Sequence, residues 1–161
     1  MTAHARTPRQ LLALILAFAL LLPAATVLTS VATEAPASAG INVDRQKTVQ
    51  KQVNTTRRNN GRRALKRHTA ATKRAQKWAV RLAKCKCLQH RNSPFGAPSG
   101  WKAAAENVGR GYSLSGVHRA FLRSSRHKAN ILNRRMTHIA VGVVKAGNGE
   151  FFVVQGFYDM T

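Results

Sequence analysis

The sequence predicts an α+β fold, an α-β-α sandwich in which a small antiparallel sheet is covered by helices on both faces. Three patterns lead there. Ala75, Trp78, Ala79, Leu82 and Ala83 fall at i, i+3, i+4, i+7 and i+8, one apolar helical face, with Lys73, Arg74, Lys77, Arg81 and Lys84 largely outside it. Further on the period changes to two. Ile139, Val141 and Val143 alternate with Ala140, Gly142 and Val144, and Asn148-Gly149 separates this run from FFVVQGFY, a β-hairpin signature. Both faces of that hairpin are apolar, so both need cover, and the basic amphipathic helices supply it.

Taken in order, residues 1–39 read as a secretory signal: Arg6 and Arg9, the apolar run LLALILAFALLLPAATVL, and an A-x-A cleavage site at Ala37, Ser38 and Ala39. Pro23 interrupts the run and argues against an uncleaved membrane anchor. Residues 40–52 are a basic lead-in and the start of the first helix, and residues 53–161 the domain proper. Asp44 to Asn60 is helix-compatible, with a weak stripe at Val49 and Val53 and a stop at Gly61. GRRALKRH connects to the second helix, which Thr69 is placed to cap and whose negative end suits Lys84 and Lys86. His90 to Trp101 holds two prolines and two glycines and reads as a loop. ENVGRGY is a short strand ending at Gly109 or Gly111. Ser113 caps a helix to about Ser125 that buries Leu114, Val117 and Phe121, with Ser124 on the same side. RHKANIL then forms a short helical turn.

Charge narrows the partners. The 161 residues carry 27 Lys+Arg against 5 Asp+Glu, a formal net charge of +22. Without residues 1–39, which hold Arg6, Arg9 and Glu34, the balance is 25 against 4, or +21. Such a field attracts polyanions over about 8–10 Å at moderate salt. For an exported, monomeric protein these are anionic envelope polymers, a lipid surface, or nucleic acid bound without sequence preference, since no aromatic-interleaved motif accompanies the cations. The alternative is a solvated surface that keeps the protein in solution.

Cys85 and Cys87 lie in an oxidising setting if the chain is exported. Three outcomes are open: a pair within a distorted helix end, a link between two chains, or free thiols. CKCLQH also admits a soft-metal site with His90, against which oxidation competes. Of the six histidines, His68, His118 and His138 have no acidic neighbour in sequence and read as surface or boundary groups. Glu150 reads as a solvated residue beside the hairpin turn. Glu106 differs, because AAAENVG places a carboxylate among small and apolar residues, where it needs a cation. Arginine is the commonest such partner. The sharper expectation is that Glu106 faces His90, at the mouth of the preceding loop, and His127, at the end of the following helix.

The order LQH, Pro/Gly loop, AENV, FLRSSRHKANIL, IAVGVV and FFVVQGFY resembles the CAP superfamily of cysteine-rich secretory proteins, antigen 5 and pathogenesis-related 1 proteins. The similarity runs from about Val53 to Tyr158 and is nearest to the bacterial SCP-like extracellular domains. It implies an α-β-α sandwich and a cleft lined by two histidines and two acids. By motif position His90 is the first histidine, Glu106 the first acid and His127 the second histidine. Ser124 stands where eukaryotic members carry a second glutamate. Ala105 replaces the glycine usual before Glu106, and Phe121 replaces a common tryptophan. Asn107, Phe121 and Asn130 match motif positions with structural roles, as Cys85 and Cys87 are expected to have. Sterol and lipid binding are known in the family, which makes a small lipid ligand an expectation here, and no single catalytic activity is agreed across it.

Chemically, His90 and His127 can hold zinc or another divalent metal weakly, with Glu106 as a third ligand or as the group orienting a histidine. Three ligands and a bound water would make a metal-assisted hydrolase of peptide or wall material. A Ser124–His127 nucleophile pair lacks a Gly-x-Ser-x-Gly elbow. The alternative to any cleft chemistry is a buried polar network of His90, Glu106, Ser124 and His127 that fixes one packing. The reading adopted is an exported binding module in preference to a hydrolase, with whether any bond is broken left open.

Overall fold

A computed structural model describes residues 37–161, with side-chain exposure from residue 42 onward. Apart from its last three residues, the expected signal segment lies outside the described residues. Four helices and four strands follow in the order α1 (Ala37–Asn59), β1 (Lys66–Arg67), α2 (Thr69–Cys85), β2 (Ala103–Gly111), α3 (Leu114–Arg123), α4 (Ser125–Leu132), β3 (His138–Lys145) and β4 (Phe151–Asp159). Among the described residues, no helix is long and apolar enough to cross a membrane.

The sheet order is β1-β3-β4-β2. β3 and β4 form the expected antiparallel hairpin, pairing Val141 with Gln155 and Val143 with Val153, and β2 adds to β4 antiparallel with Asn107 opposite Gln155. The sheet is not wholly antiparallel, as the sequence reading had it. Two residues, Lys66 and Arg67, pair with β3 in parallel. The connector GRRALKRH reaches the sheet edge there through Lys66 N–H to Thr137 O and His68 N–H to Ile139 O. A two-residue bridge leaves no period for a sequence pattern to detect.

The period-two alternation does what it predicts. Ile139, Val141 and Val143 face one core with Val49, Val53, Val117, Phe121 and Ile131 from α1, α3 and α4. Ala140, Val154 and Tyr158 face the other with Ala71, Ala75, Ala79 and Leu82 of α2. Gly142 marks the closest approach on this side: a Cβ there would collide with the Ala75 carbonyl. Truncating Leu82, which is 1% exposed, to alanine should cost about 2–5 kcal/mol. Gln76 of α2 closes the free edge of β3 like a short strand, its amide bonding both Val143 O (2.9 Å) and Val143 N (2.9 Å).

Helix ends follow local chemistry. Gly61 has φ of +64°, and α1 stops just before it. α1 starts at Ala37, earlier than the Asp44 of the sequence reading, and its buried stripe Val49–Val53 continues to Arg57, 1% exposed. The cap of α2 is His68, not Thr69: its Nδ1 accepts from Ala71 N–H at 3.3 Å. Ser113 caps α3, its hydroxyl accepting from Gly116 N–H at 3.0 Å. At the end of α2, Lys86 turns left-handed (φ +52°), bringing the Cα atoms of Cys85 and Cys87 to 5.2 Å, where they form a disulfide. Of the three outcomes left open for this pair, the distorted helix end is the one realised, and neither sulfur is available to a soft metal.

Candidate functional site

Glu106 sits on β2, an edge strand, 4% exposed. Along β2 the side chains alternate. Ala105 joins the core under α1, α3 and α4, whereas Ala104 and Val108 join the core under α2. Glu106 shares the pleat face of Ala104 and Val108, and Asn107 the face of Ala105. The loop 90–101 closes over the first face, and α4 packs toward the second.

Both carboxylate oxygens of Glu106 are occupied. Oε2 accepts from Arg91 Nε at 2.6 Å. Oε1 accepts from the Arg91 backbone N–H at 3.0 Å and lies 3.2 Å from His90 Nδ1. The anticipated partner types, arginine and histidine, are therefore adjacent residues that grip one carboxylate together. Arg91 is 11% exposed at its side chain and His90 53%. Arg91 was not singled out by sequence, although a buried acid in so basic a chain calls for a guanidinium. A nearly buried ion pair of this geometry stands because the Arg91 main chain adds a third bond.

Two of the other predicted residues, Asn107 and Asn130, tie into the strand beside this pair. Asn107, fully buried, donates to His127 O and to Gln155 Oε1, each at 3.1 Å. Asn130 donates to Asn107 Oδ1 at 2.9 Å and to Glu106 O at 3.3 Å. Three amides thus tie α4 to β2 and β4 at the height of Glu106. Gln155 had not been identified as part of the site. Its signal is a lone amide within the run Phe151 to Tyr158, FFVVQGFY.

The His127 ring packs edge-on against Phe121, centroids 5.0 Å apart. Phe121 in turn covers Gly109, where a Cβ would stand 2.7 Å from the ring. Burial holds His127 below its ordinary pKa, and the charge of His90 lowers it further. His127 makes no hydrogen bond to Glu106. Ser124 links α3 to α4 in extended conformation, and its hydroxyl does not cap α4. Glu150 is not simply solvated: it lies 3.8 Å from Arg110 Nε, with its side chain 15% exposed.

Between loop and strand, His90, Phe95, Ala104, Ala105, Glu106 and Asn130 line an open cavity of about 310 Å³. The far wall is tied down by Tyr158, whose hydroxyl donates to Phe95 O at 3.1 Å. Burial pushes that phenol above its ordinary pKa, partly offset by Arg91. As a metal centre the donor set is thin. Among the described residues, no three His, Cys, Asp or Glu side chains gather around one point that could hold an ion. Glu106 is spent on Arg91 and His90, and His90 is the one imidazole among the residues lining the cavity.

Comparison with known proteins agrees with this architecture. The sequence model of the Cysteine-rich secretory protein family (CAP) matches residues 50–157, well over half of the chain. The protein YkwD of Bacillus subtilis (strain 168) is 28% identical over 135 residues, covering 78% of this chain and 51% of the relative. The chain therefore spans about half the length of that relative. An outer surface protein of Borrelia burgdorferi superposes with a TM-score of 0.65 at 19% identity, over 73% of this chain and 94% of that one. An extracellular protein of Bacillus anthracis containing an SCP domain superposes at 0.64 with 18% identity, over 74% and 42% of the two chains. At these identities the superpositions speak to the fold alone, while the family model speaks to the sequence. Together with the order of motifs around Glu106, they place this chain in the cysteine-rich secretory protein (CAP) family, as a bacterial SCP-like domain.

Proposed function

We propose that this CAP domain is an exported binding module whose cavity at His90 takes a small envelope or lipid ligand, or a weakly held divalent cation, while its basic surface favours an anionic envelope. One observation carries the reading: the Glu106 carboxylate is committed on both oxygens to Arg91 and His90. A hydrolytic centre needs a carboxylate free to take a proton or to complete a metal site. Here the carboxylate fixes the ring orientation of His90 instead and leaves its Nε2 for a ligand. Export is supported by the N-terminal signal pattern and by the Cys85–Cys87 disulfide, a bond of oxidising compartments.

The experiment is a zinc titration by calorimetry on the wild type, the His90→Ala/His127→Ala double variant and Glu106→Gln. The expected result is weak binding that the double variant loses and Glu106→Gln keeps. Equal retention in the double variant ends the metal part of the proposal. Loss in Glu106→Gln, together with hydrolysis of peptide or wall material that also disappears there, would replace a binding module by a metallohydrolase.

A further inference from the structure

A second and larger cavity, about 960 Å³, lies away from His90 and shares no residue with its site. It is walled by the connector after α1, the connector between α4 and β3, and the residues following β4. Arg62, Arg63, Lys66, Arg134 and Arg135 line it, and Arg57 forms part of its floor. Its only acid among these lining residues is Asp159. That carboxylate is already engaged by the Thr161 hydroxyl (2.7 Å), the Thr161 N–H (3.2 Å) and Arg135 Nη2 (3.5 Å).

The floor residue is unusual. Arg57 is 1% exposed, and its guanidinium donates only to main-chain carbonyls: Arg63 O at 2.8 Å, Ile131 O at 2.6 Å, Asn133 O at 3.0 Å and Met136 O at 3.4 Å. None of the five ion pairs among the described residues includes Arg57, Arg62, Arg63, Lys66 or Arg134. Carbonyl dipoles satisfy the donors of Arg57 but do not neutralise its charge. Arg62 is likewise steered by a carbonyl, Leu132 O at 3.1 Å. The wall is thus a cluster of cations in which carbonyls hold Arg57 and Arg62, and Arg135 alone meets a carboxylate. Guanidinium forks match tetrahedral oxyanions two bonds at a time, better than an ammonium does. The volume lies in the range of small-molecule sites.

We propose that this cavity is a binding site for a soluble ligand bearing two or more phosphate groups. The inference gives one address to the anion preference of the basic surface, and rests on that reading only for the sign of the partner. The chemistry of a phosphate ester is shared by lipid headgroups, so the test has an arm for each source.

Sodium tripolyphosphate is titrated into the full chain at physiological salt, against the wild type and two variants of equal charge. Arg63→Gln/Arg134→Gln removes two exposed wall cations whose side chains hold nothing else in the fold. Lys73→Gln/Lys77→Gln removes two exposed cations of α2 that do not line the cavity. The cavity variant should lose at least tenfold in affinity and the α2 variant less than twofold. Equal losses in the two variants, or no wild-type binding at that salt, overturn the proposal. In the second arm, vesicles of phosphatidylglycerol in phosphatidylcholine are added. Displacement from the vesicles by tripolyphosphate puts headgroup phosphates in the same cavity. Vesicle binding that is insensitive to tripolyphosphate and to Arg63→Gln/Arg134→Gln leaves the cavity to the soluble ligand. If the cavity fails but salt-sensitive binding to wall polymer persists, the broader reading of the basic surface stands alone.

Discussion

Two arginines, Arg57 and Arg91, are held by this fold in opposite ways, and the contrast separates two parts of the molecule. Arg91 meets one of the few carboxylates in the chain, and the pair is closed by its own main chain and by His90. Arg57 meets no carboxylate and is held by four carbonyls where α1, α4 and β3 converge. A chain with 27 basic and 5 acidic residues cannot pair every buried cation with an acid. It spends a carboxylate at the β2 edge and backbone dipoles at the connectors. The first arrangement is electrically complete. The second stays positive, and burial together with Arg62 draws the pKa of Arg57 below its ordinary value.

Substitutions can break this contrast, and their effects should be graded. The largest is expected from Arg57→Leu, which strands four carbonyls at about 1–3 kcal/mol for each acceptor not reached by water. Urea denaturation should show a loss of about 4 kcal/mol or more, and Arg57→Lys should recover less than half of it, because a single ammonium cannot span the four acceptors. Next comes Arg91→Met, which leaves the buried Glu106 carboxylate without its guanidinium, held only by the residue-91 N–H and His90; the expected loss is about 3–5 kcal/mol. Asn130→Ala should follow at about 1–3 kcal/mol, since it unbinds Asn107 Oδ1 and Glu106 O at once. Recovery of full stability in any of the three would mean that the bond network carries less than its geometry implies.

The smallest effect is a slope with pH. Burial lowers the pKa values of His118, His127 and His138, with His90 adding to the effect at His127 and His68 and Lys66 at His138. Each ring therefore takes up a proton more readily in the unfolded chain than in the folded one, from the ordinary value of 6.5. Stability from these groups is fully present above about pH 6.5 and falls as pH drops through their lower folded values. His118→Gln, which can keep a bond to Thr56 Oγ1, should flatten that slope without altering the midpoint at pH 7.5. A slope of opposite sign in the wild type would show that these rings gain charge on folding.

Much of the frame was legible because it is written in period. α2, the β3–β4 hairpin and the Ser113 cap each carry a repeating or local chemical signal. So does the need of both β3 faces for helical cover, although which face meets α2 was not legible. What escaped has no period. β1 is two residues long, and α4 is a full helix of eight residues where only a turn was expected. The cap of α2 passed from Thr69 to His68 because an imidazole nitrogen can accept from N3 as a hydroxyl does. The residues around Glu106 are brought close by chain order and topology. His90 and Arg91 arrive together because they are neighbours in one loop. His127 comes from the opposite face of an edge strand, a relation that sequence spacing does not encode. Arg57 was hidden for another reason: an arginine in a helical stripe reads as surface unless the carbonyls that will receive it are known.

The claim on which the account turns is that the Glu106 carboxylate belongs to Arg91, and a double-mutant cycle of Arg91→Met and Glu106→Gln measures that most directly. The account predicts a coupling free energy of about 2 kcal/mol or more, with Glu106→Gln rescuing part of the loss in Arg91→Met. Losses that add to within about 0.5 kcal/mol would contradict it, and would free the carboxylate for a ligand or a reaction.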